Sequence, residues 1–236
     1  MRSVPKKIDV KGEIVGNSDA CIYEWLEIEH TSPQGILKQL SEANGEEIEV
    51  EINSPGGNIF AGSEIYTALR SYKGNIKIRI VGLAGSAASV IAEAGESEIS
   101  PTAMYMIHKV SSYASGNHKT MEHQAEVLKM ADESIVNAYV DKTGMSKEEL
   151  LSMMDKETWL SAQQAVDYGF IDKVMFQDSR IPLTNSIGGI PPETIEKLRN
   201  LIKGPGNNAT DFFNADNLEK QKAEARLRLL NLKGDF

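Results

Sequence analysis

Between residues 47 and 53 the chain alternates strictly, with Ile48, Val50 and Ile52 on one side and Glu47, Glu49 and Glu51 on the other. That period of two predicts a strand with one buried face. Ile65, Ala68, Leu69 and Tyr72 then recur at helical spacing, which predicts a helix from about Ala61 that ends by Gly74. Alternation returns at Ile76, Ile78 and Ile80 and leads into the small-residue run GLAGSAASVIAEAG, read as a tight turn and a closely packed helix. A further strand is expected at 103–108, AMYMIH, and a last one at 171–176. Strand, helix, strand, helix, strand at this spacing implies parallel strands joined by crossover helices.

Met121, Ala125, Leu128, Ile135 and Tyr139 form one stripe of a long helix over 120–143, with Gly144 beyond its end. Ser146 to Glu149 and Ser161 to Gln164 both fit the capping box, so two short helices are expected to start there. After Arg180 the composition turns to Pro, Gly and Asn, followed by the charged segment LEKQKAEARLRLLNLK. This places a domain at 1–180 and a linker with a helical tail at 181–236.

A chain of 236 residues with 41% hydrophobic and 25% charged residues can bury one sizeable core. Its net charge of −9 argues against a nucleic-acid backbone as partner. The longest weakly polar run, 81–94, is too short for a membrane span, and the basic N-terminus leads into no apolar stretch, so a cytoplasmic location is expected. Cys21 is the single cysteine and is read as a small core residue. No metal site is expected. His118 and His123 do not share a helix face, and His30, like them, lacks the placement of a site residue.

Three features suggest chemistry. Ser54-Pro55-Gly56-Gly57 lies between a strand and a helix, where paired glycines can bring bare N–H groups close to a ligand. In Gly85-Ser86-Ala87-Ala88-Ser89-Val90 a serine hydroxyl sits at a helix start among the smallest residues, either as a helix cap or where a developing oxyanion would be stabilised. His108 ends the strand MYMIH, and parallel sheets carry their sites at the carboxyl ends of strands. Imidazole is the usual base for a serine, and a carboxylate to orient it is offered by Asp155 or Glu157.

These residues resemble the proteolytic subunit of the Clp protease. SPGGNIFAG at 54–62, GSAAS at 85–89, MIH at 106–108 and LSAQQAVDYGFID at 160–172 follow that family's motifs in order. The resemblance implies a ClpP/crotonase-like α/β fold of repeated β-β-α units, with a parallel sheet and crossover helices. It makes Ser89 the nucleophile, His108 the base and Glu157 the orienting acid, with Asp155 as alternative. It assigns the N–H groups of Gly57 and Val90 to the oxyanion hole, with Gly56 supporting the turn.

By the same resemblance the chain is a cofactor-free serine endopeptidase acting on polypeptides as a homo-oligomer of heptameric rings, with KVSSYASGNHKT after His108 as the edge that holds substrate and joins rings. Where the family has Asp, this sequence has Glu157, and it continues beyond the last core strand. Both departures resemble the phage and prophage branch, which implies ATP-independent cutting of capsid and scaffold proteins in head maturation and processing of its own tail. The alternatives are a catalytically silent assembly scaffold, a crotonase-type acyl-CoA enzyme, and a Ser-Lys mechanism through Lys109.

Overall fold

The computed structural model describes residues 5–177. The expected helical tail at 181–236 lies outside them. The Glu/Ile alternation becomes the central strand β3 (Ile48–Gly57), flanked by β1 (Lys6–Ile14) and β4 (Ile76–Gly85), all parallel. Ile8, Val10, Ile48, Val50, Ile52, Ile78 and Ile80 of these strands are fully buried, each contributing about 1.5–3 kcal/mol by leaving water. The opposite face is charged. There Arg79 bonds both Glu49 and Glu98 at 2.8 Å, Lys7 reaches Glu51 at 2.7 Å, and Lys77 reaches Glu98 at 2.8 Å. Parallel sheets are usually covered on both faces; in this sheet a lattice of opposite charges takes the place of a second helical layer on these strands.

β4 serves two partners in turn. Its first half pairs with β5 (Glu96–Ile99), and its second half, Leu83–Gly85, pairs with β6 (Met104–Ile107). β8 (Lys173–Val174) extends β5, β2 (His30–Thr31) extends β1, and among the described residues only β6 with β7 (Thr158–Ser161) runs antiparallel. The division of β4 brings the carboxyl ends of β3, β4 and β6 together.

Helices α3 (Ile59–Arg70), α4 (Ala87–Ala92) and α5 (His118–Thr143) form where expected, but along the α5 stripe only Tyr139 is buried and Met121 is exposed. α6 (Lys147–Asp155) and α7 (Ala162–Asp167) start at the two serine caps, and at Ser161 both halves of the capping box form. Gly144 closes α5 in the left-handed conformation. The last strand is shorter than expected, two residues in place of six. Two N-terminal helices went unread: α1 (Asn17–Trp25) buries no residue, and α2 (Pro33–Ala43) buries Ile36 and Leu40 behind a Ser32 cap. Cys21, expected in the core, lies exposed on α1.

Candidate active site

The Ser-Pro-Gly-Gly segment completes β3 and then breaks the strand geometry. Ser54 Oγ donates to the Gly12 carbonyl at 2.6 Å and accepts from the Gly56 N–H at 3.1 Å, which ties the turn to β1. Gly56 and Gly57 adopt φ of +102° and +141°, a region costly for any residue with a Cβ. A Cβ on Gly56 would lie 2.6 Å from both the Gly85 carbonyl oxygen and Ser86 Cβ. Gly56 therefore lets β3 touch the end of β4, and Gly57, whose Cβ would overlap the Ile14 carbonyl oxygen, lets it touch β1. Asn58 caps α3 by accepting from the Ala61 N–H at 3.0 Å.

Ser86 occupies the sharp turn from β4 into α4, with φ +53° and ψ −124°. A non-glycine residue in such a conformation costs about 1–3 kcal/mol and persists only when its surroundings over-determine it. They do so here. The Ser86 N–H donates to the Met106 carbonyl at 3.0 Å, and the Ser86 carbonyl accepts from the N–H of Ser89 at 2.9 Å and from its hydroxyl at 2.6 Å. A strained strand-to-helix turn of this kind exposes the nucleophile of α/β-hydrolases. Ser86 Oγ lies 2.7 Å from His108 Nε2.

His108 follows β6, and the backbone beyond it is pinned twice. The Lys109 N–H donates to the Met154 carbonyl at 3.1 Å, and the Val110 N–H donates to Asp132 Oδ1 at 2.7 Å. Asp132 is a buried carboxylate on α5 that the helical stripe gave no reason to single out.

The hydroxyl facing His108 is therefore not that of Ser89. Ser89 has no solvent exposure, and its hydroxyl is held between the Ser86 carbonyl and the Tyr139 hydroxyl, 2.8 Å away. The serine that meets His108 lies three residues before Ser89, the one expected from the match of Gly85 to Ser89 with the family motif. Gly82-Leu83-Ala84-Gly85-Ser86 fits the same small-residue pattern with Gly for one Ala, and it ends where the strand ends. The expected Val90 donor is already engaged. Its N–H donates to the Ser86 carbonyl at 3.4 Å inside the first helical turn, whereas Ala87, the first helical residue after Ser86, has the N–H position that helices leave without an internal partner.

The two carboxylates expected to orient His108 point elsewhere. Asp155 is ion-paired to Lys109 at 2.6 Å, and that hydrogen bond holds its carboxyl below the ordinary range. The same pair engages the Lys109 ammonium. Glu157 adopts φ +50° and accepts from Trp159 Nε1 at 3.1 Å. Among the described residues no carboxylate is hydrogen-bonded to His108. His108 and Glu157 nevertheless each lie one residue beyond the last antiparallel pair, Ile107 with Thr158, where the two strands end.

Ser86 and His108 open onto a cavity of 490 Å³ that Gly57 also lines. Met106, Val110, Leu128, Ala131, Ile135 and Tyr139 make much of its wall apolar. Residues 109–120, expected as a substrate edge, form no strand; 118–120 open α5, and Val110, Ser111 and Ser112 border the cavity.

The profile of the Clp protease family matches residues 8–178. The chain is 35% identical over 167 residues to the ATP-dependent Clp protease proteolytic subunit of Deinococcus radiodurans, covering 67% of this chain and 81% of that one. It is 29% identical over 158 residues to the subunit of the same name from Streptococcus agalactiae, covering 63% and 81%. Among solved structures it is similar to a ClpP1 variant from Listeria monocytogenes, with TM-score 0.60 and 26% identity over 72% of this chain and 91% of that one.

Proposed function

The chain belongs to the Clp protease family of serine peptidases, and on that premise we propose that Ser86 is its nucleophile and His108 its general base. The observation that carries the assignment is the 2.7 Å contact between them at a strained turn. His108 Nε2 takes the Ser86 proton as Oγ bonds to the scissile carbonyl carbon, and the carbonyl electrons move onto oxygen. The N–H groups of Gly57 and Ala87 receive that oxyanion. Collapse breaks the C–N bond, the amine leaves with the proton from His108, and water then releases the acyl group by the same steps.

Glu157 is the orienting acid in this reading. Its place next to Thr158, the residue paired with Ile107, supports it over Asp155, whose carboxylate is already paired with Lys109. Exchange of its Trp159 bond for one to His108 Nδ1 would complete the triad. The polypeptide lies extended beside residues 110–115, where main-chain hydrogen bonds provide affinity with little demand on sequence.

In this reading the chain hydrolyses polypeptides without ATP, as a homo-oligomer of heptameric rings. Cleavage of capsid or scaffold proteins during virus-head maturation is the finer role, favoured by residues 181–236 and by Glu157-Thr158-Trp159. Degradation of casein without any ATPase tests the first point.

The deciding experiment is intact mass after reaction with a fluorophosphonate. One adduct is expected on wild type and on Ser89→Ala, and none on Ser86→Ala or His108→Ala. An adduct that survives in Ser86→Ala and disappears in Ser89→Ala would overturn the assignment.

A further inference from the structure

Behind the nucleophile turn lies a buried polar cluster with no part in the steps above. Ser89 receives two tyrosines, one on each polar group. The Tyr139 hydroxyl lies 2.8 Å from Ser89 Oγ, and the Tyr105 hydroxyl lies 3.2 Å from the Ser89 carbonyl oxygen. Tyr105 also bonds Glu93 Oε1. Glu93 is 3% exposed, and its second oxygen has no hydrogen-bond partner among the described residues. An ionised carboxylate in that position would be costly.

We propose that Glu93 is a positioning residue, acting through Tyr105 and Ser89 to hold the Ser86 turn in its reactive conformation. The proposal rests on Ser86 being the nucleophile. Counting protons gives the direction of the chain. Ser89 spends its one hydroxyl proton on the Ser86 carbonyl, so Tyr139 must donate to Ser89 Oγ. Tyr105 has one proton and two acceptors, the Ser89 carbonyl and Glu93. When Glu93 is protonated it donates to Tyr105, which is then free to donate to Ser89, and the series from Glu93 to Ser86 is unbroken. When Glu93 is ionised it claims the Tyr105 proton, and the Ser89 carbonyl loses its donor.

Burial keeps the Glu93 carboxyl well above the ordinary carboxylate range. The groups around it do not reverse this. Lys142 of α5 favours the charged form, but its ammonium is engaged by Asp172 at 2.6 Å and by the Gly95 carbonyl at 3.1 Å. Tyr66 and Arg70 of α3, Glu96 of β5 and Asp141 of α5 border the same 340 Å³ cavity behind Glu93. Tyr139 of α5, which lines the substrate cavity instead, keeps its own phenol proton through burial.

The test is the rate of fluorophosphonate labelling of Ser86 in wild type, Glu93→Leu, Tyr105→Phe, the double variant and Glu93→Gln. Tyr105→Phe removes a single oxygen, so it remains informative if Glu93→Leu fails to fold. Loss of one such hydrogen bond is expected to slow labelling about tenfold. The double variant should be no slower than the slower single one, and Glu93→Gln, whose amide donates like the protonated acid, should recover the rate to within about twofold. Wild type is expected to lose labelling on an alkaline limb that Glu93→Gln lacks. Variants that label at the wild-type rate would overturn the relay alone, as would fully multiplicative losses in the double variant. No label on folded wild type would overturn the catalytic reading, and the relay with it.

Discussion

Ser89 turns its hydroxyl back onto the carbonyl of Ser86, 2.6 Å away, so two serines three residues apart hold different places in the same turn. One points at His108 and the other braces the backbone that points it. Ser89→Ala removes the brace and leaves the buried Tyr139 hydroxyl without its partner. A loss of about 1–3 kcal/mol in stability is expected, measured by denaturant unfolding, with Ser86 still open to acylation. Loss of labelling together with unchanged stability would contradict this division of roles.

Glycine at 56 is required by contact as well as by torsion. Gly56→Ala would place a Cβ 2.6 Å from Ser86 Cβ at φ +102°, whereas Gly45→Ala at φ +83° meets nothing within 4 Å. Both carry the cost of a left-handed backbone, about 1 kcal/mol. Only Gly56→Ala must also displace the nucleophile turn. It is expected to lose labelling by at least about a hundredfold, near 2.7 kcal/mol in the barrier, while Gly45→Ala labels like wild type. Labelling rates of the two variants side by side decide the point.

What could be read from the sequence followed the lengths of the patterns. Ile48 to Ile52 and the stripe from Met121 to Tyr139 are long enough to define a period, and the Ser146 and Ser161 caps marked helix starts to within a residue. α1 has no buried face, so it carries no periodic signal, and the four residues of β7 are too few to show one. His108 was legible because a strand end is a local feature. The choice between Ser86 and Ser89 was not, since both sit among the same small residues and only the turn between β4 and α4 separates them. Glu93 was beyond the reach of pattern altogether: a carboxylate is normally solvated, and its burial is decided by Tyr105, twelve residues away on another element.

The identity of the third triad member should appear in kinetics before it appears in static geometry. Glu157→Gln keeps the Trp159 bond through its amide oxygen but cannot stabilise an imidazolium, so peptide hydrolysis is expected to fall at least about a hundredfold. Asp155→Asn removes only an exposed pair with Lys109, and such pairs contribute little. Its rate should stay within about twofold of wild type. Steady-state kcat/KM on an unfolded protein substrate separates the two, and a reversed order would transfer the role to Asp155.

Glu93 also gives stability a pH dependence whose sign can be worked out. In the unfolded chain its carboxyl ionises near pH ~4.3, while in the folded chain burial keeps the proton on to well above that value. Between these two points the folded state binds more protons than the unfolded one, so stability falls as pH rises. The contribution is fully present below the unfolded value and is lost as pH passes through the folded one. Within that window a single such group costs about 1.4 kcal/mol per pH unit. Glu93→Gln has no proton to lose, so its stability should decline less from pH 5 upward than that of wild type. The difference between the two proteins should widen with pH and then level off above the folded value. Urea unfolding of both proteins at matched pH values measures that difference directly. Parallel curves would mean that Glu93 is ionised in the folded protein, and the donor chain from Glu93 to Ser86 would have to be redrawn with Tyr105 pointing the other way.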